Sequence, residues 1–375
     1  MQMAGRVPDL GKWSILEMAE IQIGHTTIIE TEKQGVIEYA WDSGRIYRIP
    51  VESYPGHITN VYLVLDGEAT LIDIGLDGKK ARADLEHGIE IVNSEFGQGI
   101  GFKDISGIVI THGHADHWGM LSHPKLKGKK LYLHELDIEF IRDFKTRYAS
   151  SKIRIKNFAR EAGWGLETDN IFALDKLDVR IEDYELVELH DGQKIINDYE
   201  VYHVPGHSPG HILLKVGPVL FLGDHILSKT TPHQLPASMI PGCGLRLYIG
   251  SLRKAASLGE LLGLPGHENT IYSIKDRVEA LEVFHSERLN DILGLCNGEK
   301  NLFQITDEYY KLRPEYINGK TVPELIRDEQ ILALEEIRSH LEYLMEDGKT
   351  AERSTDGGIV MYSSQLNEPL LGEEK

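Results

Sequence analysis

The chain has 375 residues, of which 41% are hydrophobic and 26% are charged, as in a globular protein with one large domain and an appendage or with two domains. Its formal net charge of −19 argues against a general affinity for nucleic acid or for an anionic membrane, although a local basic groove is compatible with it. No apolar run reaches the roughly 18 residues of a membrane-spanning helix, and MQMAGRVPDLGKWS has no signal-peptide pattern, so we expect a cytoplasmic protein.

The first third of the chain alternates strand-forming runs with a single helix. Short β-rich runs fill residues 20–75, and NVYLVL-DGE-ATLID predicts a β-hairpin that turns at Asp66-Gly67. A helix is expected over 79–96, followed by the strand SGIVIT and a further strand at 129–134. Strands separated by helices in this way predict an α/β layered domain.

The middle of the chain continues this alternation around a helical insertion. Residues 135–165 are predicted to be mostly helical. Strands resume after residue 179, and HILLKVGPVLFLGD predicts a hairpin that turns at Gly217-Pro218. A loop-rich stretch follows, and then a helix is expected over 251–263.

The last hundred residues show a different pattern. Helices are expected over 277–296, 302–312 and 322–347, and AERSTDGGIVMYSS predicts a short hairpin that turns at 356–358. Three helices followed by a two-stranded wing are the pattern of a winged helix. The predicted organisation is a domain over 1–276 with a helical lid insertion over about 135–170, a winged-helix-like domain over 277–364 and a frayed tail over 365–375.

The segment THGHADH concentrates metal-ligand side chains directly after an apolar strand. His112 and His114 are two residues apart, and in an extended segment such residues point the same way, so both imidazoles can reach one ion. Asp116 and His117 follow after a turn and can face a second ion. Solvated loop histidines are the alternative, but four ligand-type side chains within six residues favour a metal site.

Three later segments repeat the same design, a ligand-type residue that follows an apolar strand. These residues are His207 in VYHVPGHSPGH, Asp224 in FLGDH and His267 in LPGHE. The two cysteines, Cys243 and Cys296, are far apart and form no C-x-x-C pair, so they imply neither a disulfide framework nor a thiolate zinc site. An imidazole-rich set without cysteine favours zinc, with manganese and iron as alternatives.

The series His112-x-His114-x-Asp116-His117, then His207, Asp224 and His267, resembles the five-motif signature of the metallo-β-lactamase-fold hydrolases. The resemblance covers about residues 45–275 and implies an α/β (α+β) fold, a four-layer αββα sandwich with two divalent metal ions at one edge. It implies that the first ion is held by His112, His114 and His207. It implies that the second is held by Asp116, His117 and His267, that Asp224 bridges both, and that Asp73 in ATLIDIG braces the metal loops.

Differences within the superfamily narrow the expected activity. The β-lactamases with two zinc ions have a cysteine where this chain has Asp224, so antibiotic hydrolysis is not expected to be its native activity. The flavo-diiron relatives have a glutamate where it has His114, which favours a hydrolytic site over a redox site. Only 43 positions separate Asp224 from His267, so the large insertion of the nucleases is absent. PGHSPGH and GDHILSKTTP resemble the glyoxalase II-like subgroup, whereas the tail resembles the winged helix of the lactamase-like mitochondrial endoribonuclease and of bacterial hydrolases.

The residues predict a binuclear hydrolase. A water shared by two divalent ions has a lowered pKa, so we expect a metal-bridging hydroxide to attack a carbonyl or phosphoryl centre. Asp116 is expected to orient this hydroxide and Asp224 to fix the separation of the ions. The expected supporting histidines, which hold ligand rings and loops without binding metal, are His134, His203, His211, His233 and His225, the last being the nearest to the site.

A basic segment interrupts this acidic chain within the predicted lid. It holds one acid, Asp143, and seven basic residues that are candidates for substrate binding: Arg142, Lys145, Arg147, Lys152, Arg154, Lys156 and Arg160. They could recognise an anionic substrate such as a coenzyme A thioester, a glutathione conjugate or a phosphodiester. The alternative is a solvated helix face that pairs with acidic neighbours.

Charge also bears on the C-terminal domain and on the choice of function. Residues 278–375 carry 10 Lys and Arg against 21 Asp and Glu, and the third helix is acidic where a groove-reading helix is basic, so we expect no DNA binding. Its apolar positions suit packing on the first domain or in a homodimer. The favoured hypothesis is a thioesterase or lactonase acting on an anionic small molecule, with no membrane partner. The alternative is a single-strand ribonuclease or phosphodiesterase, whose RNA binding would depend on salt.

Overall fold

The structure is a computed structural model that describes residues 18–165, 174 and 177–365. The predictions for residues 1–17, for the end of the helical insertion and for the tail beyond residue 365 therefore lie outside the described residues. Within the described part of the chain, no helix combines the length and the apolar character needed to cross a membrane.

The larger sheet has nine strands that lie side by side in chain order. Its first six strands form an antiparallel meander, and its last four are parallel to one another. The hairpin predicted at Asp66-Gly67 is confirmed, because it joins the fifth and sixth strands. The strands are β1 (Met18–Ile23), β2 (Thr26–Lys33), β3 (Val36–Trp41), β4 (Gly44–Tyr54), β5 (His57–Leu65), β6 (Ala69–Ile72), β7 (Ile105–Val109), β8 (Lys130–His134) and β9 (Glu185–Leu189).

The smaller sheet has five strands, also in chain order. Its first four strands are antiparallel, and the last two pair in parallel. The hairpin predicted at Gly217-Pro218 is confirmed by the third and fourth of these strands. The strands are β10 (Lys194–Ile195), β11 (Tyr199–His203), β12 (Ile212–Val216), β13 (Val219–Gly223) and β14 (Leu262–Pro265).

Helices cover the outer faces of the two sheets and build the C-terminal region. They are α1 (Lys79–Ser94), α2 (Ala115–Trp118), α3 (Glu135–Arg142), α4 (Phe144–Glu161), α5 (Leu245–Ala256), α6 (Ile274–Leu295), α7 (Leu302–Leu312) and α8 (Arg327–Glu346). The two sheets pack face to face through their apolar side chains. Helices α1 and α3 cover the larger sheet, while α5 and the start of α6 cover the smaller one. Every residue of β13 is buried, as expected for a strand covered on both faces. The predicted αββα sandwich is confirmed.

The C-terminal region is built around a separate core, which Phe158 and Ala162 of the helical insertion also join. Helices α6, α7 and α8 pack around it together with the small sheet formed by β15 (Lys300–Asn301), β16 (Thr350–Ser354) and β17 (Val360–Ser364). The hairpin predicted at 356–358 is confirmed by β16 and β17. Helix α6 packs on the smaller sheet at Val278 and joins the C-terminal core at Ile292. The predicted boundary after residue 276 therefore falls inside a helix that both cores share, and the winged-helix assignment stays a prediction.

Two helix boundaries differ from the predictions. The helix expected over 251–263 is present as α5, but its bounds are wrong: α5 begins at Leu245 and ends at Ala256, and β14 begins at Leu262. A short apolar run such as LLGLP fits a buried strand as well as a helix, and only its pairing with β13 decides between them. The third C-terminal helix begins at Arg327 rather than at 322, because Pro323 lies in a separate 3-10 turn.

Candidate metal centre

Each residue of the predicted ligand set follows the end of a strand. His112 lies just after β7, His207 after β11, Asp224 directly after β13 and His267 just after β14, while His114 precedes the short helix α2 that carries Asp116 and His117. The close approach of these loops requires glycine at one position. A Cβ on Gly266 would lie 2.7 Å from Asp224 Oδ1 and 2.7 Å from His117 Cε1. Only a residue without a side chain lets β14 deliver His267 so near its partners.

The first three histidines come together as one group. The nearest ring nitrogens of His112, His114 and His207 all lie within 4.8 Å of one another. His112 Nε2 is 3.1 Å from His114 Nδ1. His112 and His207 are buried. Three imidazoles that converge in this way can hold one divalent ion.

The carboxylate of Asp224 lies between this group and the remaining ligands. Its Oδ2 is 3.9 Å from His207 Nε2. Its Oδ1 is 3.5 Å from His117 Nε2 and 3.3 Å from His267 Nε2. Asp116 Oδ2 is also 3.3 Å from His267 Nε2. The two oxygens of Asp224 therefore face two different groups of ligands, so it can bridge two ions.

The imidazoles of the site are held on one side and open on the other. His117 Nδ1 is 2.8 Å from Asp73 Oδ2, His207 Nδ1 is 2.9 Å from the carbonyl oxygen of His233, and His267 Nδ1 is 2.6 Å from the carbonyl oxygen of Ile58. The Nε2 atoms of these three rings are buried, and each lacks a hydrogen bond among the described residues. A ring fixed through one nitrogen with the other left open is the arrangement of a metal-binding histidine. The donor set therefore fits divalent metal ions.

Asp73 braces the histidine loop, the segment 110–118 that carries His112, His114, Asp116 and His117. Its Oδ1 accepts a hydrogen bond from the backbone N–H of Thr111 at 2.8 Å, and its Oδ2 accepts one from the Thr111 hydroxyl at 2.8 Å. Oδ2 also lies 2.8 Å from Nδ1 of His117. Asp73 has a left-handed φ of 52° and is buried. It connects the end of β6 to the histidine loop without facing the open nitrogens.

Three of the histidines are neutral at pH 7. Burial lowers the pKa of His112 far below its usual value, helped by the neighbouring rings of His117 and His211. Burial also lowers the pKa of His207, and that of His114 to about 3. Since only a neutral imidazole offers a lone pair to a metal, these rings are ready for binding without first losing a proton.

The other two histidines are charged when no ion is bound. Burial alone would lower the pKa of His117 and His267, but the carboxylates of Asp224 and Asp116 outweigh burial. They raise the pKa of both rings, to about 10 for His267. The same pairs overcome the effect of burial on Asp116 and Asp224 and hold their pKa values well below the usual range. An ion that binds here must displace protons, so its affinity should rise with pH.

His57 lies in the site although the sequence analysis did not include it. Its Nε2 is 3.0 Å from Asp116 Oδ2, and its ring centroid is 4.2 Å from that of His267. His57, Asp116 and His267 form another group whose ligand atoms lie within 4.8 Å of one another. A signal existed in the sequence, because Pro-Gly-His occurs at 55–57, as it does at the two ligands His207 and His267.

Asp137 is a second residue of the site that sequence reasoning missed. It lies on α3, is buried, and accepts a hydrogen bond from the backbone N–H of Gly210 at 3.2 Å. The backbone of Gly113 donates to it as well, and burial raises the pKa of its carboxyl to about 7 against these two hydrogen bonds. A Cβ on Gly210 would lie 2.5 Å from this carboxyl carbon. Asp137 therefore ties the histidine loop to the loop that carries His207.

The five histidines predicted to support the site have different surroundings. His211 stacks on His112 at 4.7 Å between ring centroids, and its Nε2 accepts a hydrogen bond from the Asp224 N–H. The rings of His134 and His203 stack on each other at 4.1 Å. The ring of His225 packs against Tyr248 at 5.0 Å instead of joining the groups of ligand atoms. His233 contacts His207 through its backbone.

The basic segment divides into paired and unpaired side chains. Three residues have ion pairs with acids: Arg142 with Glu182 (3.5 Å), Lys145 with Asp178 (2.6 Å) and Arg160 with Glu161 (3.9 Å). Lys152 lies 4.5 Å from the ring centroid of Tyr148. Arg147, Arg154 and Lys156 are exposed and have no ion pair with a described residue. The substrate role proposed for the segment stays a prediction, and these three residues are its best candidates.

Tyr54 marks where three parts of the chain meet beside the site. It ends β4, and its ring centroid is 5.9 Å from that of His57. Burial raises the pKa of its phenol, and so do its neighbours Asp116, Asp328 on α8 and Tyr148 on α4. The phenol is therefore protonated at pH 7 and can donate a hydrogen bond. The C-terminal region and the helical insertion both reach this side of the site.

Comparisons with known proteins agree with this geometry. The family model of the metallo-beta-lactamase superfamily matches residues 54–267. The probable metallo-hydrolase YqjP of Bacillus subtilis (strain 168) is 25% identical over 319 residues, which cover 79% of this chain and 90% of that protein.

Two solved structures resemble the chain over most of its length. The metallo-beta-lactamase family protein TTHA1429 from Thermus thermophilus has a TM-score of 0.67 at 25% identity, covering 85% of this chain and 98% of its own. A beta-lactamase domain protein from Burkholderia ambifaria has a TM-score of 0.66 at 21% identity, covering 86% and 91%. This coverage exceeds the span of the family model, so the likeness extends beyond the segment that carries the ligands.

Proposed function

The chain belongs to the metallo-beta-lactamase superfamily and is a metallo-hydrolase, and from this premise we propose that it hydrolyses a thioester or a lactone of an anionic small molecule at a binuclear metal site. The observation that carries this proposal is the position of Asp224. One of its oxygens faces His207 and the other faces His117 and His267. Such a carboxylate serves two ions, for which we favour zinc, with manganese or iron as alternatives.

The chemistry then follows from the residues around that carboxylate. Divalent ions held here would polarise a carbonyl or phosphoryl oxygen and lower the pKa of water. Asp116 stays ionised, and its Oδ2 lies beside both His57 and His267, so it can orient an attacking water. The His57 side chain is 16% exposed, against 3% for His267, so His57 lies between Asp116 and solvent. Tyr54 can donate a hydrogen bond to the substrate.

Charge favours a small anionic substrate over RNA. Arg147, Arg154 and Lys156 offer positive charge on the insertion, whereas the chain as a whole carries −19. Asp328 near Tyr54 adds a negative charge beside the site, which disfavours a long polyanion there. The likeness of PGHSPGH to the glyoxalase II-like subgroup supports an acyl substrate. Cleavage of single-stranded RNA or another phosphodiester is the alternative, which the basic insertion supports.

We assign the C-terminal region to a winged helix with a structural role. Its α8 carries buried glutamates that face the hydrolase domain, as in the ion pair of Glu335 with His233. A helix that reads a DNA groove exposes basic side chains instead.

The test combines metal analysis with a substrate panel. Purified protein is loaded with zinc, manganese or iron, the bound metal is counted, and turnover is measured on acyl-CoA and glutathione thioesters, lactones, a phosphodiester and single-stranded RNA. We expect two ions per chain and hydrolysis of a thioester or a lactone, with no RNA cleavage. RNA cleavage alone would establish the alternative. A protein that holds two ions and hydrolyses none of these substrates would overturn the proposal.

A further inference from the structure

The metal ligand His207 depends on a segment that has little structure of its own. His207 Nδ1 lies 2.9 Å from the carbonyl oxygen of His233, whereas His117 is held by the carboxylate of Asp73. Residues 229–236, around His233, form neither helix nor strand. The direction of the His207 ring is therefore set by whatever fixes this segment.

Helix α8 of the C-terminal region fixes it. Glu335 Oε2 lies 3.0 Å from Nε2 of the His233 ring, and Glu336 Oε2 lies 3.4 Å from its Nδ1. Glu336 Oε2 also accepts a hydrogen bond from the backbone N–H of Gln234 at 2.9 Å. Ser339, one turn further along α8, contributes a hydrogen bond to the carbonyl oxygen of Leu235 at 3.4 Å. Three positions of one helix thus hold three consecutive residues of the segment.

The burial of these two glutamates needs an explanation. Glu335 is 4% exposed and Glu336 is 2% exposed. Burying a carboxylate costs free energy, and replacing a buried ion pair by apolar side chains is often neutral or stabilising. Burial raises the pKa of Glu336, but the guanidinium of Arg288 and the ring of His233 outweigh it and keep the carboxylate ionised. Stability alone is therefore a poor reason for both charges.

A second metal site is excluded as the explanation. His285, Glu336 and His340 could be taken for a ligand group, since their ligand atoms lie within 4.8 Å of one another. However, His340 Nε2 is bonded to His285 Nδ1 at 3.0 Å, and His340 Nδ1 is 2.7 Å from the carbonyl oxygen of Glu336. The guanidinium of Arg288 forms an ion pair with the Glu336 carboxylate. Of the two rings, only His285 keeps a nitrogen, Nε2, without a hydrogen bond among the described residues. One such nitrogen beside a fixed guanidinium is too small a donor set to hold an ion.

We propose that Glu335 and Glu336 of α8 are positioning residues for the metal ligand His207, acting through His233. The C-terminal region is then a part of the hydrolytic site and not a separate binding module. This inference rests on the metal site of the proposed function, but it does not depend on which bond is hydrolysed.

The experiment measures metal binding in the full-length protein. Glu335→Gln and Glu336→Gln are compared with Glu346→Gln, a control on the same helix whose exposed carboxylate pairs with Arg246. Affinity for each of the two ions is measured by chelator competition, and cobalt substitution reports the ligand geometry through its visible spectrum. We expect one ion to bind 10- to 100-fold more weakly with an altered cobalt spectrum, while the other ion and the control keep wild-type values.

A further variant separates positioning from folding. His233→Ala keeps both glutamates and removes only the ring that they hold, and it should weaken the same ion with the same change in the cobalt spectrum. Wild-type affinity for both ions in Glu336→Gln and in His233→Ala would overturn the proposal. So would an equal loss of both ions that tracks the loss of thermal stability. If no substrate of the panel is hydrolysed, the metal measurements still decide this inference, so the two proposals fail separately.

Discussion

The cluster of ligands at the strand ends and the cluster between α6 and α8 both bury imidazoles beside a carboxylate, but they satisfy their nitrogens differently. At the strand ends, the Nε2 atoms of His117, His207 and His267 have no hydrogen bond among the described residues. Between the helices, His340 is bonded through both nitrogens, Arg288 neutralises Glu336, and of the two rings only His285 has a nitrogen, Nε2, without a hydrogen bond among the described residues. Burial and residue type are thus shared by the two clusters. Several ring nitrogens and carboxylate oxygens that converge on one another, in the absence of a resident cation, distinguish a metal site from a structural network.

The most direct test of whether only the strand-end cluster binds metal is to remove one histidine from each cluster. His112→Ala should lose bound metal and lower activity on the order of 10³-fold or more, because the Lewis acid contributes several kcal/mol to the transition state. His285→Ala should keep two ions and its turnover, and lose only stability. Metal analysis and steady-state kinetics check both variants. Full metal content in His112→Ala, or lost ions in a folded His285→Ala, would remove the distinction.

Asp137 provides a third case for this comparison. Among the described residues, its buried carboxyl group is not part of a group of possible metal ligands, and no ion pair with a cationic side chain stabilises its charge. Burial raises the pKa of its carboxyl to about 7. The folded chain therefore binds a proton more tightly than the unfolded chain between about pH 4 and 7, and this contribution to stability falls as pH rises through that window. Asp137→Asn keeps an oxygen acceptor and cannot ionise.

We expect the stability of Asp137→Asn, relative to the wild type, to increase by about 2–3 kcal/mol between pH 5 and pH 7, since each pKa unit corresponds to 1.36 kcal/mol. Urea unfolding of both proteins at the same metal content measures this difference. A difference that stays constant over this range would show that the carboxyl of Asp137 does not titrate there.

His57 differs from the buried ligands, because it contacts the ligand Asp116 and is also partly exposed to solvent. His57→Ala should weaken the binding of one ion by about 10- to 100-fold, because Asp116 loses the hydrogen bond that orients it. His87→Ala is the control, since that ring is exposed on α1 and lies 3.5 Å from Glu90 Oε2, away from the ligands. Chelator competition measures the affinities, and equal affinities in both variants would place His57 outside the site.

The smallest expected effect concerns the exposed charges of α4. Arg147→Glu and Arg154→Glu should raise KM for an anionic substrate several-fold with little change in kcat, because they alter binding and not the transition state. Lys145→Glu is the control, since Lys145 already pairs with Asp178. Kinetics at low and high salt check this, and a lower KM or an equal effect in the control would count against substrate binding by this face.

Local patterns in the sequence were enough for much of the fold. The hairpins at Asp66-Gly67 and Gly217-Pro218 follow from turn residues between alternating apolar runs, and the structure has both. The start of α5 and the strand β14 were missed, because a short apolar run does not reveal its partner. Pairing with β13 decides that Leu262–Pro265 is a strand.

The sequence by itself determined which residue types could bind metal, because each ligand-type residue follows an apolar strand, and the two-residue spacing of His112 and His114 puts both on one side of an extended segment. Only the tertiary structure showed that His57 contacts Asp116, 59 positions away, and that Glu335 contacts His233, 102 positions away. Contacts at such separations leave no period in the sequence, since they depend on how the layers and the C-terminal helices pack. The tertiary structure also decided which buried histidines keep an open nitrogen, because that depends on every neighbour of the ring.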